Sequence, residues 1–103
     1  MTLEELKELL KTTGLPVAYR SFPENEAPPL PFICFLVANS NNFIADGIVY
    51  QKTDHILVEL YTKQKDVESE GRVEQVLSSF VWEKTETYID DEKCYQILYE
   101  IEV

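Results

Sequence analysis

The chain ends on KCYQILYEIEV, residues 93 to 103. Tyr95, Ile97, Tyr99, Ile101 and Val103 fall at every second position, and Gln96, Glu100 and Glu102 dominate the positions between. A period of two is the mark of a β-strand with one buried side and one wet side. Such a strand is stable only within a sheet whose dry face is covered. Just upstream, WEKTETYI and the turn pair Asp90-Asp91 give that strand a hairpin partner.

Three more stretches extend the sheet. VAYRSF (17 to 22) is a short strand, with Val17, Tyr19 and Ser21 on one face and Ala18, Arg20 and Phe22 on the other. FICFLV (32 to 37) is apolar on both faces, the pattern of a central strand covered on both sides. HILVELYT (55 to 62) directs Ile56, Val58 and Leu60 one way. Between the last two, ANSNN (38 to 42) is a polar turn cluster. In FIADGIVY, Asp46-Gly47 sits between apolar flanks, a strong hairpin signal because a type I′ turn needs positive φ at both central residues. Phe43 to Ala45 are expected to pair with Ile48 to Tyr50.

Two helices complete the pattern. Residues 2 to 12 begin with the capping box Thr2-x-x-Glu5, carry Leu3, Leu6, Leu9 and Leu10 on one face, and stop before Gly14 and Pro16. Residues 66 to 80 have Asp66 as N-cap, Glu68 and Glu70 at the positive end of the dipole, and Val73, Val76, Leu77 and Phe80 as the inward stripe. Gly71 weakens this helix by about 1 kcal/mol relative to alanine, and a glycine there suggests a close contact with a strand. The expected fold is α+β: one mostly antiparallel β-sheet with two helices packed on it, in the order αββ(ββ)βαββ. It spans 1–103 as one domain, and a chain of this mass buries about two thirds of its unfolded surface.

PENEAPPLP (23 to 31) holds four of the five prolines and leads directly into FICFLV. Without N–H groups, Pro23, Pro28, Pro29 and Pro31 cannot sit inside a sheet. The segment is either a stiff spacer that positions the next strand or, with Leu30, a preformed contact for a neighbouring subunit. The hairpin around residues 46 and 47 poses a similar choice. Phe43, Ile44, Ile48 and Tyr50 give it apolar residues on both faces, so it either folds back on its own sheet or docks as an arm on a neighbour.

Composition narrows the function. Nineteen acids against nine bases give a net charge of −10, and the bases are scattered rather than striped. Both facts disfavour binding to a nucleic-acid backbone. No apolar run approaches the ~18 residues of a membrane helix, and MTLEELKELL has no signal-peptide core, so a cytoplasmic setting is expected. Cys34 and Cys94 lie in apolar strand patterns and read as buried free thiols. His55 is the sole histidine, at the start of a strand beside Asp54, without a serine or cysteine motif around it. There is no Cys-x-x-Cys, no histidine pair, no calcium-loop spacing and no glycine-rich phosphate loop. Glu70 and Glu74, at i and i+4, suit either a cation or a solvated helix face. No enzyme, cofactor or metal is expected.

Three stretches carry a resemblance: LPVAYRSFPENEAPPLPFICFLV, NNFIADGIVYQKTDHILVELYTKQKD and WEKTETYIDDEKCYQILYEIEV. Their most specific pieces are aromatic-Pro-x-x-x-x-Pro-Pro (Phe22 to Pro29), Ala-Asp-Gly-x-x-Tyr (45 to 50) and VELYT followed by an acidic helix. Together they resemble small tail terminator proteins (tail completion, tail-to-head joining) of tailed phages and prophages of Gram-positive bacteria. None of these pieces is a catalytic motif. The resemblance implies a structural protein that closes into an oligomeric ring, a hexamer, on the end of the tail tube. It implies self-association, contacts with the tail tube protein and head-neck proteins, and a path from host cytoplasm to virion tail. Another head-tail connector protein is the nearest alternative. An acidic mimic of DNA that inhibits a nucleic-acid enzyme is the alternative from another class.

Overall fold

The computed structural model describes the backbone of residues 1–45 and 48–103, and the side chains of that set outside 41–52. Helix α1 covers Leu3–Lys11 and strand β1 Val17–Tyr19. Strands β2 (Phe32–Ala45) and β3 (Ile48–Thr62) follow, then helix α2 (Val67–Val76), β4 (Glu83–Ile89) and β5 (Cys94–Glu102). The five strands form one sheet in the order β1-β2-β3-β5-β4. All neighbours are antiparallel except β1 and β2. This is the α+β architecture expected from the periodicities.

Helix α1 forms where its cap dictates. The Glu5 N–H donates to Thr2 Oγ1 at 3.1 Å, and the Thr2 N–H donates to Glu5 Oε1 at 3.0 Å. Two orphan donors of the first turn are satisfied reciprocally. Leu6 and Leu10 are fully buried and Leu9 is half-buried, while Leu3 at the open first turn is exposed. Gly14 ends the helix region at φ +85°, a conformation that costs glycine no Cβ clash.

The core fills the space between both helices and one face of the sheet. Leu6 and Leu10 of α1 and Val73 and Leu77 of the α2 region meet Ile33 and Phe35 of β2, Ile56, Val58 and Leu60 of β3, and Ile97, Tyr99 and Ile101 of β5. Registers Ile33↔Leu60 and Phe35↔Val58, then Val58↔Tyr99 and Leu60↔Ile97, place these residues in cross-strand rows. Alternation therefore sends every intervening side chain to the opposite face, where no helix lies.

Several sequence expectations change. FICFLV is neither the central strand nor covered by helices on both sides: β3 is central, and the second face of β2 turns away from α1 and α2. VAYRSF pairs only as far as Tyr19, because Arg20 takes φ +67° and turns the chain out of the sheet. ANSNN is not a turn. Asn39 pairs with His55, Ser40 with Asp54, Asn41 with Thr53 and Asn42 with Lys52, after a register shift between Val37 and Asn39. Pairing with β3 supplies the backbone bonds that a local turn would have offered, and context overrides propensity. The seven expected strands thereby merge into five.

Ala45 pairs with Ile48 and Ile44 with Val49, as the hairpin expectation required, but a register shift pairs Phe43 with Gln51 rather than Tyr50. The Asp46-Gly47 turn itself lies outside the described residues. Helix α2 stops at Val76 rather than Phe80; Ser78 and Ser79 follow its Leu77 cap, and serine competes for backbone hydrogen bonds. Leu77 and Phe80 still reach the core through a tight turn, closed by the Phe80 N–H donating to Leu77 O at 2.9 Å. Gly71 marks no close approach, since a Cβ built there meets nothing within 4 Å.

The proline segment has a topological task. Parallel neighbours need a crossover that carries the chain back to the starting end of the sheet. Residues 20–31 provide it without a helix, which suffices because β1 is only three residues long. The crossover is pinned at both strand ends: Ile33 N–H donates to Pro16 O at 2.8 Å and Arg20 N–H to Phe35 O at 2.7 Å.

Candidate functional site

The helix-free face of the sheet is built from the alternate side chains of β2, β3 and β5. Its middle row is Cys34, Glu59 and Leu98, flanked by Leu36 with Leu57 on one side and Phe32, Tyr61 and Gln96 on the other. Cys34 is buried and the rest are half-buried. Glu59 is a carboxylate set among apolar neighbours. Burial raises its pKa, against the Tyr61 hydrogen bond and the Arg20 charge, which lower it. Tyr61 Oη donates to Glu59 Oε1 at 3.1 Å and accepts from Gln96 Nε2 at 3.0 Å. Burial also pushes the Tyr61 phenol up to about 12 and the Cys34 thiol up to about 11.

At the end of this face where β3 finishes, the proline segment folds over the sheet. Phe22 stacks edge-on against Phe32 with ring centroids 5.0 Å apart, and Phe32 lies 5.5 Å from Tyr61. Beside them opens a cleft of about 480 Å³ lined by Ala27, Leu30, Phe32, Tyr61, Ile89, Glu92 and Cys94. A second hollow on the other side of Leu30 and Pro31 is lined by Thr62, Lys63, Gln64, Lys65 and Asp66. Pro23 and Pro29 are exposed, and Pro28, Leu30 and Pro31 are half-buried.

At the opposite end, β2 and β3 run on past the rest of the sheet. The last link to β5 is the reciprocal pair Asp54–Val103, with N···O distances of 2.9 and 3.0 Å. Beyond it, residues 41–45 and 48–53 pair with each other as a two-stranded arm. Phe43, Ile44, Ile48 and Tyr50 belong to this arm. The candidate contact residues thus form two groups at opposite ends of the molecule, and the fold does not bring them together.

The helix side carries a charged cluster. Glu70 is only 2% exposed, yet its carboxylate lies 2.6 Å from Lys84 Nζ and 2.8 Å from Lys65 Nζ. Glu74 sits 2.7 Å from Lys84 Nζ and accepts from Tyr99 Oη at 2.7 Å. Burial opposes ionisation of both acids, but the lysines outweigh it and hold both below the ordinary carboxylate range. The cations beside the Glu70–Glu74 pair are the protein's own lysines, and Glu70 is not on a solvated face. Glu68 is exposed and pairs with Arg72 at 2.7 Å.

His55 lies inside β3, not at its start, with Nε2 2.9 Å from Glu100 Oε1. Cys34 and Cys94 are both free and buried, as their strand patterns implied. Among the described residues, no cluster of three or more His, Cys, Asp or Glu is placed to hold a metal, and no helix is long and apolar enough to cross a membrane. Sequence reasoning missed the cleft floor of Phe32, Tyr61 and Cys94. The alternation of HILVELYT contained part of the signal, since Leu57, Glu59 and Tyr61 had to face away from Ile56, Val58 and Leu60. Neither a scan of protein-family models nor a search of curated proteins finds a match to this chain.

Proposed function

We propose that this chain is a structural subunit of a phage or prophage tail, which assembles with copies of itself into a ring that caps the tail tube and joins it to the head. The observation that carries the reading is the arm. A two-stranded ribbon is marginal on its own, and the sequence of this one is apolar in FIA and IVY, a composition that favours cover from a further surface. A neighbouring copy in a closed ring supplies it. The resemblance of the three quoted stretches to tail terminators supports the same role and a hexameric ring. Acidity fits it as well, because a lumen crossed by DNA works best when its wall does not hold phosphate.

The two faces of the ring would meet the tail tube protein and the head-neck proteins, first in the host cytoplasm and then in the virion. Electron microscopy of tails produced with and without the protein tests this. Tubes of uncontrolled length, without heads, are expected in its absence. Normal tails joined to heads would overturn the reading.

A further inference from the structure

We infer that the cleft beneath the proline segment is the receptor for the β2–β3 arm of a second copy. The inference rests on the reading that copies of this chain associate, and it names the surface that receives the arm.

The cleft is concave and mainly apolar, with Phe32, Tyr61 and Cys94 as its floor and Ala27, Leu30 and Ile89 as its walls. Pro28, Pro29 and Pro31 stand in the wall-forming segment and have no N–H to desolvate when an apolar group arrives. Their fixed φ keeps the wall in place before contact, so little ordering entropy is lost on binding.

The arm is the matching piece. Its sequence carries Phe43, Ile44, Ile48, Val49 and Tyr50, and Asp46 and Lys52 cancel in charge. In a chain of net charge −10, a neutral apolar projection approaches another copy without the repulsion that the rest of the surface imposes.

A copy cannot fill its own cleft. Ile48 begins β3 at the arm end and Tyr61 lies one residue before its cleft end. At the usual rise of a strand, they stand about 40 Å apart. Arm and cleft are different surfaces at opposite ends, so the contact is head-to-tail, the kind that grows into a ring or an open chain rather than a two-fold dimer.

Sedimentation velocity on full-length variants tests the inference. An arm variant carries Ile44→Ser with Ile48→Ser. A cleft variant carries Leu30→Glu, and Ala27→Arg is a second one at an exposed loop position that leaves the core untouched. Each is expected to lose self-association while keeping the wild-type melting curve by circular dichroism. An equimolar mixture of arm variant and cleft variant is expected to form a one-to-one heterodimer and nothing larger, because one intact arm and one intact cleft remain. A mixture that stays monomeric while wild type associates would overturn the inference. So would cleft variants that associate like wild type, or a wild type that is monomeric at every concentration. Normal tails in the absence of the protein would remove the tail role and leave a positive mixture result standing.

Discussion

Glu70 shows how one side chain joins two layers of the fold. It leaves α2, is almost fully buried, and is met by Lys65 from the loop before the helix and Lys84 from β4. A buried carboxylate is stable only when paired and hydrogen-bonded. Tyr99 adds a neutral donor to Glu74 beside it, and Trp82 packs edge-on against the Tyr99 ring at 5.5 Å. Glu70→Ala should therefore destabilise the protein by about 2 kcal/mol, within the range for hydrogen bonds to charged groups. The partial exposure of both lysines keeps the loss from being larger. Denaturant titration at neutral pH measures it. The pH dependence has a definite sign. Both acids are held below their ordinary value of 4.5, so their contribution is complete above that pH and fades as pH falls through the lowered folded values. The gap between wild type and Glu70→Ala should narrow in acid; a gap that widens there would contradict the pairing. Composition could not reveal this cluster, because i, i+4 carboxylates look alike whether solvent or two lysines from other elements surround them.

Elements were legible wherever their signal was local. Thr2-x-x-Glu5 names the first turn of α1, and the alternation of KCYQILYEIEV names β5 and its dry face. Signals failed where a distant partner decided. ANSNN has the composition of a turn, yet β3 offers a ladder to Asn39 through Asn42, and one long hairpin replaces two short ones. Gly71 was misread for a related reason: glycine in a helix suggests a close neighbour, but open space surrounds this one. Gly71→Ala should then stabilise the protein by about 1 kcal/mol, the helix-propensity difference with no steric penalty. Thermal and urea unfolding check it, and a loss of stability would mean that something does approach that position. The proline segment was read correctly as a non-sheet connector. Its service as a parallel crossover depended on the direction of β1, which no local pattern encodes.

At the scale of the whole molecule, the class of fold followed from periodicity, whereas the division into a covered and an uncovered face did not. FICFLV is apolar on both sides, and that pattern cannot tell a second layer of helices from a folded loop beside an open cleft. The net charge of −10 makes a separate statement about assembly. If apolar arm and cleft surfaces drive association against general repulsion, added salt should strengthen it, since screening shortens the reach of like charges to about 8 Å at physiological ionic strength. Sedimentation at low and high sodium chloride reads this directly, and association that weakens with salt would point to ion pairs instead. The edges of the sheet add one more constraint. On one side the sheet ends in a three-residue strand, which Arg20 in a left-handed conformation cuts short; on the other it ends in β4, whose Glu83, Lys84 and Glu86 are exposed. Short and charged borders resist the sideways addition of foreign strands. If copies associate through the arm and the cleft, flanks closed in this way leave a single direction in which to multiply, so crowding many copies together favours counting over clumping.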